Sequence, residues 1–166
     1  SGRAEVLHGA QVYLDFPSVG ATENVLLAAA LAEGTTVIHG AAMEPEIVEL
    51  ASFLRKMGAS VQGDGTPVIT VKGVEKLHAA EYIIPSDRIV AGTYLFGAVM
   101  TRGEIRLLHV PLSHLGKLPE LLEQMGAVVE AEEDWIYVRM DRQCRCIPYM
   151  VTAPFPGFPT DLQSVL

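Results

Sequence analysis

The sequence predicts a mixed α/β (α+β) fold that is built from repeated βαβαββ units. Two observations predict it: segments 68 residues apart match one another, and each alternates strand-like runs with amphipathic helical runs. P-S at 17–18 corresponds to P-S at 85–86, and M-G-A at 57–59 corresponds to M-G-A at 125–127. A third start, P-T at 159–160, follows the second by 74 residues. The chain therefore contains two repeats and the opening of a third.

The first repeat contains every element of the unit. In chain order we expect a strand at 11–16, a helix at 19–33, a strand at 35–39, a helix at 45–57, and strands at 59–62 and 68–72. Alternation of β-forming residues predicts the strands, and Gly34 and Gly58 are expected to end the two helices. The second helix carries an apolar stripe of Ile47, Leu50 and Leu54, which we expect to be buried.

The second repeat follows the same order. We expect a strand at 82–84, helices at 87–101 and 119–125, and strands at 105–110, 128–132 and 135–140. Leu115, Leu118 and Leu122 should be buried in the places that the first repeat's stripe occupies. Residues 146–152 are the expected first strand of a third repeat, whose helix has barely begun at Leu166. We therefore expect a longer parent protein.

Composition narrows the class of protein. Of 166 residues, 49% are hydrophobic and 19% are charged, which predicts a substantial buried core. Twenty acidic against twelve basic residues give a net charge of −8, which disfavours nucleic acid and anionic membranes as partners. The longest apolar run, 25–32, is far shorter than the roughly 18 residues of a membrane span. We expect a cytoplasmic protein in a reducing setting.

The cysteines and histidines do not predict a metal site. Cys144 and Cys146 would share one face of a strand, and we interpret them as incidental thiols. A metal site needs more ligands, and the five histidines show no paired ligand spacing to complete one. These are His8, His39, His78, His109 and His114.

Each repeat begins its first helix after proline and a hydroxyl residue. Ser18, Ser86 and Thr160 are expected to cap these helices, and Thr160 with Gln163 forms a candidate capping box. Helix N-termini also attract anions, because unpaired N–H groups and the helix dipole point outward. Two interpretations stay open: the three starts are architectural, or they converge on a shared binding site.

The run F-P-G-F-P-T-D-L-Q at 155–163 resembles the UDP-N-acetylglucosamine 1-carboxyvinyltransferases, which are enolpyruvyl transferases. Segments at 19–22, 32–36, 44–47, 53–59, 85–89 and 133–136 are also similar to that family, in family order. The sister enzymes that make 5-enolpyruvylshikimate 3-phosphate share the repeat architecture, but the segments at 19–22 and 158–161 favour the sugar-nucleotide branch.

The resemblance implies an inside-out α/β barrel in each of two domains, each barrel being three βαβαββ units with the helices inside. Residues 1–85 would be the last repeat of one domain, and residues 86–166 the next repeat and the start of a further one. The family's catalytic lysine, its loop cysteine and its C-terminal arginines would lie outside this chain. Cys144 and Cys146 match no catalytic cysteine. The isolated chain is therefore expected to be inactive.

Several residues match functional positions of the family. Asp161 matches the candidate general base at the sugar 3-hydroxyl, and Thr160 adjoins it; a first-turn acid that complements the helix dipole is the alternative. Ser18, Val19 and Gly20 match the segment that lines the uridine diphosphate pocket, where glycine permits close approach of a phosphate. At Phe16 and Pro17 the sequence departs from relatives that carry a basic residue, which disfavours direct charge pairing to the phosphates.

Four further residues match polar positions around the family's interdomain cleft: Glu44, Glu46, Asp87 and Arg88. Glu44 and Glu46 could equally be a charged helix start, and Asp87 with Arg88 a capping pair. The resemblance implies the substrates phosphoenolpyruvate and UDP-N-acetylglucosamine, the remainder of the same enzyme as partner, and no metal or organic cofactor. A shikimate-type transferase and a non-catalytic repeat module are the alternative functions.

Overall fold

A computed structural model describes residues 5–165 of the chain, which divides between Ile83 and Ile84 into two compact units. The first unit contains β1 (Gln11–Tyr13), α1 (Val19–Ala29), β2 (Thr35–His39), α2 (Pro45–Lys56), β3 (Ser60–Gln62) and β4 (Val68–Lys72). The second contains α3 (Arg88–Thr101), β5 (Glu104–Leu108), α4 (Leu118–Gln124), β6 (Val128–Glu132) and β7 (Trp135–Arg139). It also contains the 3-10 helices Leu112–His114 and Thr160–Val165.

The first unit is a four-stranded sheet with two helices packed on one face. The strand order is β1-β2-β4-β3, in which β1 and β2 are parallel and the other pairs are antiparallel. Alternation along β4 turns Ile69 and Val71 into the core, where they meet Leu26 of α1 and Ile47 of α2. The predicted βαβαββ order of this repeat is confirmed.

The second unit repeats the three antiparallel strands of the first in the same order, β5-β7-β6. The register is also the same. Thr35, the first residue of β2, pairs with Lys72, the last residue of β4, just as Glu104 of β5 pairs with Arg139 of β7. The predicted internal repeat is therefore confirmed at the level of strand pairing.

The predicted apolar stripes are buried with one partial exception. Ile47 and Leu54 are buried, and so are their counterparts Leu115, Leu118 and Leu122, but Leu50 is only partly buried against its core.

Gly58 ends α2 as predicted, and Gly126 ends α4 at the equivalent position. The prediction that Gly34 ends α1 is wrong, because that helix already ends at Ala29. Gly58 and Gly126 adopt positive φ angles of 98° and 99°, directly after the last helical turn. The N–H of Ala59 donates to the Leu54 carbonyl at 2.9 Å. This is the closing hydrogen bond of a left-handed helix cap, which glycine adopts without a side-chain clash.

The first helix and strand are shorter than predicted. Helix α1 ends at Ala29 instead of residue 33, because the backbone of Glu33 pairs with an earlier segment instead of continuing the helix. Its N–H donates to the Leu7 carbonyl at 2.8 Å, and its carbonyl accepts from Gly9 at 2.7 Å. Strand β1 ends at Tyr13 because its partner strand β2 ends at His39.

Two predicted strands are wrong. Residues 82–84 form no strand, since the Tyr82 side chain packs on α2 and both isoleucines that follow it are exposed. Residues 146–152 form no strand either; only Thr152 pairs, through an isolated bridge to Phe158. In both places the local pattern has no neighbouring strand among the described residues to complete a ladder.

The predicted cap of α3 is also wrong. The N-cap is Asp87, whose Oδ1 accepts hydrogen bonds from the N–H groups of Ile89 at 2.7 Å and Val90 at 3.2 Å. Ser86 lies one residue too early, and its hydroxyl donates to the His109 carbonyl instead. Asp87 therefore takes the structural role that the sequence left open for it.

Candidate functional site

The start of α1 carries Ser18, Val19 and Gly20. Ser18 is the N-cap, and its Oγ accepts a hydrogen bond from the N–H of Ala21 at 3.3 Å, so this predicted cap is confirmed. Gly20 is exposed in the first turn, and a Cβ placed there would meet nothing within 4 Å. Packing in the described part of the chain therefore does not require glycine at this position. Alanine in place of glycine would stabilise the helix by about 1 kcal/mol.

The loop after β2 leads to Glu44 and Glu46. Glu44 occupies the N-cap position of α2 and is buried, whereas Glu46 is exposed in the first helical turn. Pro45, between them, is the first helical residue, where a missing N–H costs nothing. Glu44 and Glu46 therefore form a charged start of α2.

In the second unit, Arg88 is the first residue of α3 and is buried, with an exposed fraction of 8%. Its guanidinium lies 5.7 Å from the centre of the Phe155 ring. This cation–π contact joins the start of α3 to the turn that precedes Asp161.

That turn is a tight loop between Thr152 and Phe158. Ala153 donates to the Phe158 carbonyl at 2.9 Å, Gly157 donates to the Pro154 carbonyl at 2.8 Å, and the Phe155–Pro156 peptide bond is cis. The buried Phe158 ring meets Phe96 of α3 edge to face, with 6.2 Å between ring centres. The loop is thereby fixed to the core of the second unit.

Asp161 follows that loop, in the 3-10 helix that begins at Thr160. Both side chains are exposed, whereas Leu162 is buried against Gly92 of α3. A Cβ on Gly92 would lie only 2.7 Å from Leu162 Cδ1, so glycine is needed for this approach. Thr160 is the first residue inside the helix, and its predicted role as N-cap is therefore wrong, as is the capping box with Gln163.

The structure brings the predicted residues together in two groups. Ser18, Val19 and Gly20 belong to the first unit with Glu44 and Glu46; Asp87 and Arg88 belong to the second with Thr160 and Asp161. Within the first unit, the buried Thr22 connects the two segments through hydrogen bonds to Ser18 and Ala42. Within the second, Phe155 and Gly92 connect α3 to the Asp161 segment.

Two of the three connecting residues, Thr22 and Gly92, carry a signal in the sequence. Thr22 is a β-branched residue inside a predicted helix, and Gly92 is a glycine in the interior of another. Both residue types are unfavourable in helices, which indicates a tertiary contact. Phe155 gave no such signal.

The structure also bears on a metal site, on the two cysteines and on membrane-spanning helices. Across residues 5–165, no cluster of three His, Cys, Asp or Glu side chains is placed to hold a metal ion. Cys144 and Cys146 are exposed free thiols outside any strand. No helix in the same range is long and apolar enough to cross a membrane.

Comparison with known proteins defines the class. The family model described as EPSP synthase (3-phosphoshikimate 1-carboxyvinyltransferase) matches residues 1–166. The chain belongs to this family of enolpyruvyl transferases, as the sequence resemblance predicted. The solved enolpyruvyl transferase NikO from Streptomyces tendae matches 98% of this chain and 41% of its own, with a TM-score of 0.82 and 23% identity, which shows a shared fold.

The similar curated proteins carry a more particular name. The chain is 49% identical over 157 residues to UDP-N-acetylglucosamine 1-carboxyvinyltransferase 2 of Caldanaerobacter subterraneus subsp. tengcongensis. It is 50% identical over 163 residues to the UDP-N-acetylglucosamine 1-carboxyvinyltransferase of Nocardia farcinica. An EPSP synthase from Acinetobacter baumannii is 28% identical, with a TM-score of 0.59 over 83% of this chain and 33% of its own. The chain spans 38% of the length of each curated relative.

Proposed function

We propose that the protein to which this chain belongs transfers the enolpyruvyl group of phosphoenolpyruvate to the 3-hydroxyl of UDP-N-acetylglucosamine, the first committed step of peptidoglycan synthesis. The observation that carries the proposal is the identity of 49% and 50%, over nearly the whole chain, to enzymes named for this reaction. The methylene carbon of phosphoenolpyruvate gains a proton, and the deprotonated 3-hydroxyl bonds to C2. Phosphate then leaves the tetrahedral intermediate, and loss of a methyl proton restores the double bond.

The start of α1 is the proposed diphosphate-binding segment. The N–H groups of the first turn and the positive end of the helix dipole suit an anion. Gly20 is exposed and the space that a Cβ would occupy is open, which would let a phosphate approach the backbone closely. Ser18 and Val19 are partly exposed beside it. No basic side chain is needed for this mode of binding, in agreement with Phe16 and Pro17 just before the helix.

Asp161 is the proposed general base. Its carboxylate is exposed, so it is accessible to a hydroxyl of a bound sugar. A free aspartate with a pKa of about 3.9 is a weak base for an alcohol, so the role requires hydrogen-bond contact in a closed, partly desolvated site. Thr160 adjoins Asp161 in the same turn and is assigned to the same substrate.

Glu44, Glu46, Asp87 and Arg88 are proposed to border the cleft between the two domains of the whole enzyme. The proposal also assigns residues 1–85 to one domain and residues 86–166 to the other. Both cysteines are exposed free thiols, which suits a reducing, cytoplasmic setting. The proposed partners are the two small-molecule substrates and the remainder of the same enzyme.

The test is an acceptor comparison with the full-length protein. Phosphate release from phosphoenolpyruvate is measured with UDP-N-acetylglucosamine and, separately, with shikimate 3-phosphate, the acceptor that the family description names. We expect release with the sugar nucleotide alone, and a product whose mass equals UDP-N-acetylglucosamine plus one enolpyruvyl group. Phosphate release with shikimate 3-phosphate alone would identify a shikimate-type transferase instead. Phosphate release with neither acceptor would favour a non-catalytic repeat module.

A further inference from the structure

Thr22 lies in the second turn of α1, and its side chain is completely buried. Its Oγ1 accepts a hydrogen bond from the N–H of Ala42 at 3.0 Å and donates one to the Ser18 carbonyl at 2.8 Å. The backbone N–H of Thr22 donates to the same carbonyl at 3.0 Å. One hydroxyl therefore joins the start of α1 to the loop that follows β2.

The bond from Ala42 distinguishes Thr22 from an ordinary helical threonine. A helical threonine commonly donates to a carbonyl one turn earlier, as the exposed Thr101 does to Gly97 at 2.8 Å. Thr22 does this and also accepts from a neighbouring segment. Ala42 is completely buried, so its N–H would lose its partner if the Thr22 hydroxyl were removed.

The loop that Thr22 contacts is fixed to the sheet. The N–H of Ala41 donates to the Pro67 carbonyl at 3.0 Å, next to the first residue of β4. Ala41 is also buried in the core of the first unit. The position of the α1 start is thus set relative to the sheet through Ala41, Ala42 and the Thr22 hydroxyl.

We propose that Thr22 is a positioning residue for the diphosphate-binding turn at Ser18 and Gly20, an inference that rests on the proposed function. Thr22 is buried and touches no substrate; it acts through the Ser18 carbonyl. Loss of its hydroxyl frees the first turn of α1 to shift, while the Asp161 carboxylate in the other unit is unchanged. Affinity for the sugar nucleotide then falls, whereas turnover at saturating substrate is maintained.

The experiment compares variants of the full-length protein. Thr22→Val keeps the side-chain shape and removes the hydroxyl, Thr22→Ser keeps the hydroxyl, and Thr101→Val removes an exposed hydroxyl that bonds within its own helix. We expect Thr22→Val to raise KM for UDP-N-acetylglucosamine about tenfold and to change kcat less than about threefold. Thr22→Ser and Thr101→Val should both remain within about twofold of the unchanged protein in KM and kcat.

Two results would contradict the positioning role of Thr22. If Thr22→Val lowers the melting temperature and leaves KM unchanged, Thr22 is a structural residue and the inference is wrong. A fall in kcat at constant KM overturns it as well. If Thr22→Val does not fold, Thr22→Cys, whose thiol is a weak acceptor, is judged by the same criterion.

Two further variants separate this inference from the proposed function. Ser18→Ala and Gly20→Ala alter the binding turn directly, and at least one of them must raise KM for UDP-N-acetylglucosamine if the turn binds the diphosphate. If neither does, the proposed binding site fails independently of Thr22. If either does and Thr22→Val does not, only the positioning role fails.

Discussion

At the scale of single residues, Asp161 offers the most direct test of chemistry. Asp161→Asn keeps the size of the side chain but cannot accept the proton of the sugar 3-hydroxyl. General-base catalysis contributes about 100- to 10,000-fold, so we expect kcat of the full-length enzyme to fall by at least about 100-fold. Affinity for UDP-N-acetylglucosamine should change by less than about tenfold, because the diphosphate segment belongs to the other unit. Steady-state kinetics and ligand titration measure the two quantities.

Asp141→Asn is the control for this prediction, because Asp141 is also exposed and lies outside the proposed site. If Asp161 only complements a helix dipole, its substitution costs about 0.3 to 1 kcal/mol of stability and leaves turnover intact. A less stable but fully active Asp161→Asn enzyme would therefore exclude the base assignment.

Residue-level prediction from the sequence succeeded where a residue acts locally. Ser18 caps α1 as predicted, because a cap needs only a hydroxyl and the next turn of backbone. The choice between Ser86 and Asp87 depended on where α3 begins, which differed by a single residue from the expectation. The roles of Thr22 and Gly92 depend on contacts with residues distant in sequence, so the local pattern indicates a contact at each position but does not identify its partner.

At the scale of elements, the contact between α3 and the Asp161 segment depends on Gly92. In Gly92→Ala the new Cβ would lie 2.7 Å from Leu162 Cδ1 and 3.2 Å from Leu118 Cδ2. Overpacking of this kind costs about 1 to 3 kcal/mol, more than the roughly 1 kcal/mol that alanine returns in helix propensity. We expect a net loss of unfolding free energy, measured by urea denaturation of the 166-residue chain.

Gly97→Ala is the matched control on the same helix. A Cβ at Gly97 meets nothing within 4 Å, so this variant should be more stable by about 0.5 to 1 kcal/mol. If both variants stabilise the chain equally, the Leu162 side chain moves aside freely, and the contact between Gly92 and Leu162 does not position Asp161.

The turn between β3 and β4 is held to α2 by an ion pair. Arg55 donates two hydrogen bonds to Asp64, from Nη1 at 2.6 Å and from Nη2 at 3.0 Å, and these bonds lower the pKa of the Asp64 carboxyl. A lowered pKa in the folded state stabilises the fold above the ordinary aspartate pKa, and this stabilisation disappears as the pH falls through the lowered value. Asp64→Asn should cost about 0.5 to 1 kcal/mol at pH 7, since the pair is partly exposed.

The measurement is the midpoint of urea denaturation, compared between the unchanged chain and Asp64→Asn from pH 7 to pH 2. The difference between them should be constant at neutral pH and shrink below about pH 4. A difference that stays constant to pH 2 would mean that the ionised pair contributes nothing.

Most elements could be predicted from the sequence because their pairing partners lie in the same repeat. Strands β2, β4 and β6 match their predicted bounds, since apolar alternation fixes both face and length. The strands expected at 82–84 and 146–152 carry β-forming residues, yet neither forms. A strand exists only when a neighbour completes its ladder, and local sequence carries no information about that neighbour.

At the scale of the whole molecule, the repeat explains why the chain folds as two units. Each unit has its own sheet and its own buried core, with the same register between corresponding strands. The residues proposed for binding and for catalysis belong to different units, and the chain spans 38% of each curated relative. Folding is thus a property of the repeat, whereas we expect catalysis to be a property of the complete enzyme.

This division yields a prediction for the 166-residue chain by itself. We expect it to show the circular dichroism of a folded mixed α/β protein, but neither release of phosphate from phosphoenolpyruvate nor appreciable binding of UDP-N-acetylglucosamine. Catalytic groups that act as a unit lose almost all activity when some are missing, and closure around a substrate requires complete domains. The full-length enzyme, assayed at the same concentration, is the positive control. Turnover by the purified chain, with host enzyme excluded by a strain lacking it, would show that these residues suffice for the chemistry and that our assignment of essential groups to the rest of the enzyme is wrong.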